Sequence, residues 1–170
     1  NFAAFGKEIG SFVIGIKVVE RSGRSSELKQ VDFGYRHADL KGAIVTEITL
    51  KLTAGSAADS RREKARVIKQ RKSAYPMGHP SAGSVFKNPD GKVAGKLLEK
   101  VGMKGMRIGG AQVSEKHANV IINTGGAKAA DILALMAEGE RRVREKFKVD
   151  LAPEIKVVGE RILEVGYSKT

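Results

Sequence analysis

The chain has 170 residues, of which 41% are hydrophobic, with no cysteine and a formal net charge of +12. The apolar fraction supplies a core and argues against wholesale disorder, and no apolar run approaches the roughly 20 residues that span a bilayer. Without a thiol there is no disulfide, thiol nucleophile or thiolate metal site, while the excess of cations favours polyanionic partners such as nucleic acid, anionic lipid or a phosphorylated small molecule.

The opening Asn1-Phe2-Ala3-Ala4-Phe5-Gly6 lacks the basic flank and apolar core of a signal peptide. Residues 12–20 alternate apolar and polar and are rich in β-branched types, which predicts a strand. Ser22-Gly23 follows as a turn. A second strand is predicted over residues 43–52, with Ile44, Thr46, Ile48 and Leu50 pointing one way. Both strands fit an antiparallel, half-buried sheet.

The small residues at 54–58 break the pattern, and Asp59 or Ser60 is placed to cap a helix running to about Ser73. That helix carries Arg61, Arg62, Lys64, Arg66, Lys69, Arg71 and Lys72 against Glu63. A solvated helix face is one account, and an RNA-binding surface is the sharper alternative. No aromatic residues interleave the run, so no stacking platform for bases is visible. Pro76, Gly78, Pro80 and Gly83 predict a loop and a domain boundary.

A short helix over residues 93–101 ends at Gly102 as C-cap. Two extended segments are expected within 108–122. The longest helix is predicted over residues 127–146, buried through Ile132, Leu135, Met136, Val143 and Phe147. A final strand is expected over 154–158, after Pro153. The whole predicts an α+β architecture.

No phosphate-binding GxxxxGK[ST] loop, GxGxxG turn or GxSxG elbow is present. His37, His79 and His117 lie far apart, so no metal site is expected. Two stretches stand out. Residues 80–89 (PSAGSVFKNP) combine glycine with two prolines, Ser, Lys and Asn, which suits either a preorganised polar site or a rigid turn. Residues 108–119 (IGGAQVSEKHAN) pair two glycines with a polar cluster, which suits ligand contact or a tight bend.

At these stretches the chain resembles the bacterial UDP-N-acetylenolpyruvoylglucosamine reductases. SAGSVFKNP (81–89) and GGAQVSEKHAN (109–119) resemble that family's two substrate-domain signatures. Phe33-Gly34-Tyr35-Arg36 is similar to its FGYR motif, and residues 1–6 to its NAGAYG. Leu151-Ala152-Pro153-Glu154-Ile155, with Val158-Gly159-Glu160, resembles its terminal strand. The five motifs stand in family order.

The resemblance implies a flavoenzyme that uses FAD and NADPH to reduce UDP-N-acetylglucosamine enolpyruvate to UDP-N-acetylmuramate. That is a cytoplasmic step of peptidoglycan precursor synthesis, with no membrane partner. By motif, Ser84 is the implied proton donor, and Arg36 and Glu154 stabilise the enol intermediate. Glu154 serves beside an anionic intermediate only if it is protonated or acts through a donating neighbour. Asn88 and Lys87 are implied sugar-nucleotide contacts, with Gln112 and Lys116 as weaker ones. Asn1 and Gly6 fall in the motif implied to approach the flavin. The family's glycine-rich flavin loop has no counterpart in these residues, so the chain is expected to be part of a longer enzyme. Residues 1–55 are then the end of a flavin domain, 56–80 a linking helix and loop, and 81–170 the substrate domain.

Overall fold

A computed structural model describes residues 3–158. The chain divides into two units, Asn1–Ser60 and Arg61–Thr170.

In the first unit, β1 (Ala3–Ala4) and β2 (Lys7–Glu8) form a hairpin across Phe5-Gly6. Both turn residues have positive φ, +51° and +76°, the backbone of a type I′ turn. A 3-10 turn over Ile9–Phe12 leads into β3 (Val13–Val19). This strand is the centre of an antiparallel sheet, flanked by β4 (Ser25–Leu28) and β7 (Ile44–Leu50). Ile16 and Val18 are its buried apolar side chains. Between them in sequence lie β5 (Phe33–Gly34) and β6 (His37–Ala38), a second small hairpin turning through Tyr35-Arg36.

Both main strands stand where the alternation predicts them, but the expected single row on β7 does not. Lys17 pairs with Glu47, yet Val18 pairs with Val45, so the register shifts at Thr46. One extra residue reverses every side chain beyond it. Val45, not Ile44, therefore lies opposite buried Val18, and Ile44 is 70% exposed.

Helix α1 spans Ala57–Ala74, and none of its residues is buried. Its first-turn cap is Ser56, whose hydroxyl accepts from Asp59 N at 3.3 Å, rather than the expected Asp59 or Ser60. A side chain three residues before the amide reaches its open N–H.

The second unit is built on a four-stranded antiparallel sheet: β8 (Ser81–Ser84), β9 (Arg107–Ile108), β10 (Ala111–Val113) and β11 (Val120–Asn123), in the order β8-β11-β10-β9. Helix α3 (Ala129–Phe147) packs against it, and α2 (Ala94–Lys100) packs on α3. Phe86, Leu98, Met103, Val113, Leu135, Met136 and Val143 fill the core. The predicted α3 stripe is buried as expected, with Ile132 and Phe147 at its margin. Gly102, at φ +74°, ends α2 and donates to Glu99 O, as its sequence position predicts. Gly139 lets α3 close on α2, because an added Cβ would meet Leu98 Cδ2 at 2.9 Å.

Two expectations change here. Ser81–Ser84 is an edge strand and not a loop, because it finds backbone partners on β11. Residues 154–158 form no strand. A single antiparallel bridge, Phe86 to Pro153, closes that segment, since proline offers no N–H to extend a ladder. Three helices among the described residues, set against wholly antiparallel sheets, make the fold α+β.

Candidate active site

Ser84 is the last residue of an irregular edge strand. Val120 pairs with Ser84 and Ile122 with Ser81, so three steps on β8 oppose two on β11. Gly83, at φ +81°, supplies the conformation that the bulge requires, with open space where a Cβ would stand. A bulge re-aims the side chain beside it, here Ser84. The Ser84 hydroxyl lies 3.2 Å from the phenol oxygen of Tyr75, and both residues are half-buried. The Tyr75 ring stands 4.9 Å from the His117 ring, tilted by 48°. Burial depresses the His117 pKa below its ordinary value, so the ring is neutral near pH 7.

The residues after Ser84 tie three distant segments together. Val85 N donates to Asn119 O at 2.9 Å. Phe86 N donates to Asn119 Oδ1 at 3.0 Å, and Asn119 Nδ2 donates to Phe86 O at 2.8 Å. Glu154 N donates to Val85 O at 2.9 Å, and Lys87 N to Ala152 O at 2.8 Å. The first motif, the second motif and the closing segment thus meet at Val85-Phe86. Glu154 is half-buried, one backbone bond away from Ser84's neighbour.

The other implied contacts have defined local roles. Asn88 Oδ1 accepts from Ala94 N at 3.1 Å and so anchors the start of α2. Lys87 is exposed beside it. Gln112 Nε2 donates to Gly105 O at 3.3 Å, and Lys116 Nζ to Lys72 O at 3.1 Å. Gly110 serves a close backbone approach: an added Cβ would overlap Gly125 O and Ala127 N. This is the tight bend of the two sequence readings.

Arg36 belongs to the first unit. It is half-buried at the β5–β6 turn with φ +53°, and its guanidinium carbon lies 5.3 Å from the Tyr35 ring centroid. Gly6 sits in the β1–β2 turn, where its φ of +76° and open surroundings suit glycine and leave room for close approach of another molecule. Asn1, Gly159 and Glu160 lie outside the described residues.

Sequence reasoning missed Tyr75 and Asn119. Asn119 stood inside a motif already singled out, and that membership is the signal that would have found it. Tyr75 had none, because nothing local links it to Ser84.

The fold defines an α+β protein whose second unit brings three sequence-distant motif segments together at Val85-Phe86. The family model for the UDP-N-acetylenolpyruvoylglucosamine reductase C-terminal domain matches residues 75–158. The chain is 42% identical over 165 residues to the UDP-N-acetylenolpyruvoylglucosamine reductase of Clostridium botulinum strain 657, covering 94% of the chain and 54% of that protein. It is 39% identical over 166 residues to that of Lachnoclostridium phytofermentans, covering 95% and 54%. The crystal structure of UDP-N-acetylenolpyruvylglucosamine reductase from Thermus caldophilus superposes with a TM-score of 0.75 at 36% identity, over 91% of the chain and 56% of that structure. The chain belongs to the UDP-N-acetylenolpyruvoylglucosamine reductase family, and its residues 75–158 match the family's C-terminal domain. It spans about half the length of the curated relatives it matches.

Proposed function

We propose that this chain is the substrate-binding part of an enzyme that reduces UDP-N-acetylglucosamine enolpyruvate to UDP-N-acetylmuramate, in the cytoplasm, during peptidoglycan precursor synthesis. The observation that carries this reading is the convergence of the Ser84 strand, the Asn119 motif and the Glu154 segment at Val85-Phe86.

The reading divides the chain into a flavin-domain portion at 1–55, a linking helix and loop at 56–80 and a substrate domain at 81–170. FAD, reduced by NADPH, supplies the hydride when bound. Gly6 fits a role at the flavin, because the space around it is open. Asn1 is assigned with it by motif alone.

Ser84 gives its hydroxyl proton to the carbon next to the one that receives hydride. Arg36 stabilises the negative charge that builds on the substrate carboxylate and enol oxygen, which a fixed guanidinium does without reorganisation. Its left-handed backbone supports the assignment, since a non-glycine residue kept there costs roughly 1–3 kcal/mol and such strain gathers at functional positions. Glu154 is assigned to the same intermediate by motif. Lys87, Asn88, Gln112 and Lys116 contact the sugar nucleotide, whose diphosphate the positive chain attracts.

A second reading rests on α1, which carries seven cations and buries no residue. It makes the chain a non-catalytic module that binds RNA or another polyanion. Two measurements on the purified full-length protein that contains this chain separate the readings. The reductase reading expects flavin absorbance and oxidation of NADPH that depends on the enolpyruvyl sugar nucleotide. Steeply salt-dependent binding of arbitrary RNA, without flavin and without response to UDP-sugars, would overturn it.

A further inference from the structure

We propose that Tyr75 is a positioning residue for Ser84: its phenol oxygen fixes the direction of the serine hydroxyl and returns the proton that Ser84 gives up. The proposal rests on Ser84 being the proton donor.

A serine hydroxyl rotates freely and both donates and accepts. As a proton donor to carbon it is productive only when its own hydrogen points at the substrate. A donor on the other side, directed at an oxygen lone pair, selects that rotamer. Tyr75 Oη stands 3.2 Å from Ser84 Oγ, and either atom can donate. With Tyr75 donating, the Ser84 hydrogen is left for the substrate; with Ser84 donating, it is not.

The phenol is held in place from several sides. Tyr75 N donates to Arg71 O at 2.9 Å, closing the last turn of α1. The ring packs against His117, itself fixed by a hydrogen bond from Asn119 N to His117 Nδ1 at 3.2 Å. The Arg71 guanidinium carbon lies 5.7 Å from the ring centroid. Ser84 in turn is set by the Gly83 bulge.

The bonds balance as follows. The Ser84 Oγ–H bond breaks while a C–H bond forms on the substrate. The Tyr75 Oη–H bond breaks while Ser84 Oγ–H re-forms. The phenolate then takes a proton from solvent, which half-buried Tyr75 touches. A phenol is a much stronger acid than an aliphatic alcohol, so the negative charge settles on Tyr75, where the Arg71 cation offsets it.

The test uses the flavin-loaded enzyme in single turnover, comparing Tyr75→Phe, Ser84→Ala and the double variant. Phenylalanine keeps the ring packing and removes only the oxygen. Tyr75→Phe is expected to leave flavin reduction by NADPH and the dissociation constant of the enolpyruvyl sugar nucleotide within about twofold, and to slow reoxidation of the flavin by that substrate about tenfold or more. The double variant is expected to be no slower than Ser84→Ala alone, because the two side chains act as one unit. Outside turnover, the melting temperature of Tyr75→Phe stays at the wild-type value, and its crystal structure shows the Ser84 hydroxyl spread over more than one rotamer. Undiminished reoxidation in Tyr75→Phe, with slow reoxidation in Ser84→Ala, overturns the role of Tyr75 and leaves Ser84 as donor. Undiminished reoxidation in Ser84→Ala overturns both. A lowered melting temperature with equal slowing of the two half-reactions makes Tyr75 a packing residue and overturns the proposal.

Discussion

Asn119 holds both backbone groups of Phe86, accepting from its N–H at 3.0 Å and donating to its carbonyl at 2.8 Å. The side-chain amide imitates a strand neighbour at a point where β8 has run out of one. Both residues are buried, at 3% and 2% exposure, so water does not replace either bond.

Asn119→Ala leaves two buried backbone groups unsatisfied, and the expected cost is roughly 3 kcal/mol. Asn119→Asp keeps the acceptor for Phe86 N–H, loses the donor to Phe86 O and sets a carboxylate against that carbonyl, so it is expected to destabilise as well. Urea unfolding decides this: the midpoint should fall in both variants with little change of slope. An unchanged midpoint in Asn119→Ala would mean that Phe86 is held by packing alone.

Gly83 and Gly110 should respond differently to alanine. At Gly83 the space is open and only φ +81° is unfavourable, so Gly83→Ala is expected to cost about 1–2 kcal/mol. At Gly110 the added carbon overlaps backbone of Gly125 and Ala127, which cannot rotate away, so Gly110→Ala is expected to cost about 3 kcal/mol or more. Thermal melts of the two variants give the order. Equal shifts would refute the close approach at Gly110.

Arg141 and Arg142 hydrogen-bond the Glu138 carboxyl on α3 and hold it at about 2, below its ordinary 4.5. Its folded pKa is below the unfolded one, so its contribution is complete above about pH 5 and fades as pH falls towards 2. The three side chains are partly solvated, which limits the contribution to about 1 kcal/mol. Glu138→Gln should therefore lower stability near neutrality by that amount and flatten the acid limb of a stability-against-pH curve. Parallel curves for the two proteins would exclude Glu138 as a source of acid sensitivity.

Ser84→Ala should leave flavin reduction by NADPH nearly intact and slow the substrate half-reaction by about 10²–10⁴-fold, the usual loss for a positioned general acid. Ser84→Cys should keep part of the activity, since a thiol also carries a proton. Stopped-flow traces of the two half-reactions measure this. Slowing of neither would leave Ser84 as a turn hydroxyl with no part in the chemistry.

What the sequence determined by itself was local. Periodicity placed β3, β7 and α3, because one side of each must face a core, and a 2.0 or 3.6 repeat records that directly. Gly102 marked the end of α2 because few other residues take φ +74°. The ordered motifs identified the family. The tertiary structure decided whatever depends on partners far along the chain. The register shift at Thr46 turns Ile44 away from the Val18 face, and only the pairing with β3 reveals it. SAGS reads as a loop by composition and becomes a strand only because β11 offers hydrogen bonds. Asn119 meets Phe86 across 33 positions, and Tyr75 meets Ser84 through the packing of a helix end on a sheet edge. Such contacts form between groups with no shared local pattern, because a polar side chain that must be satisfied once buried takes whichever partner the fold brings within reach.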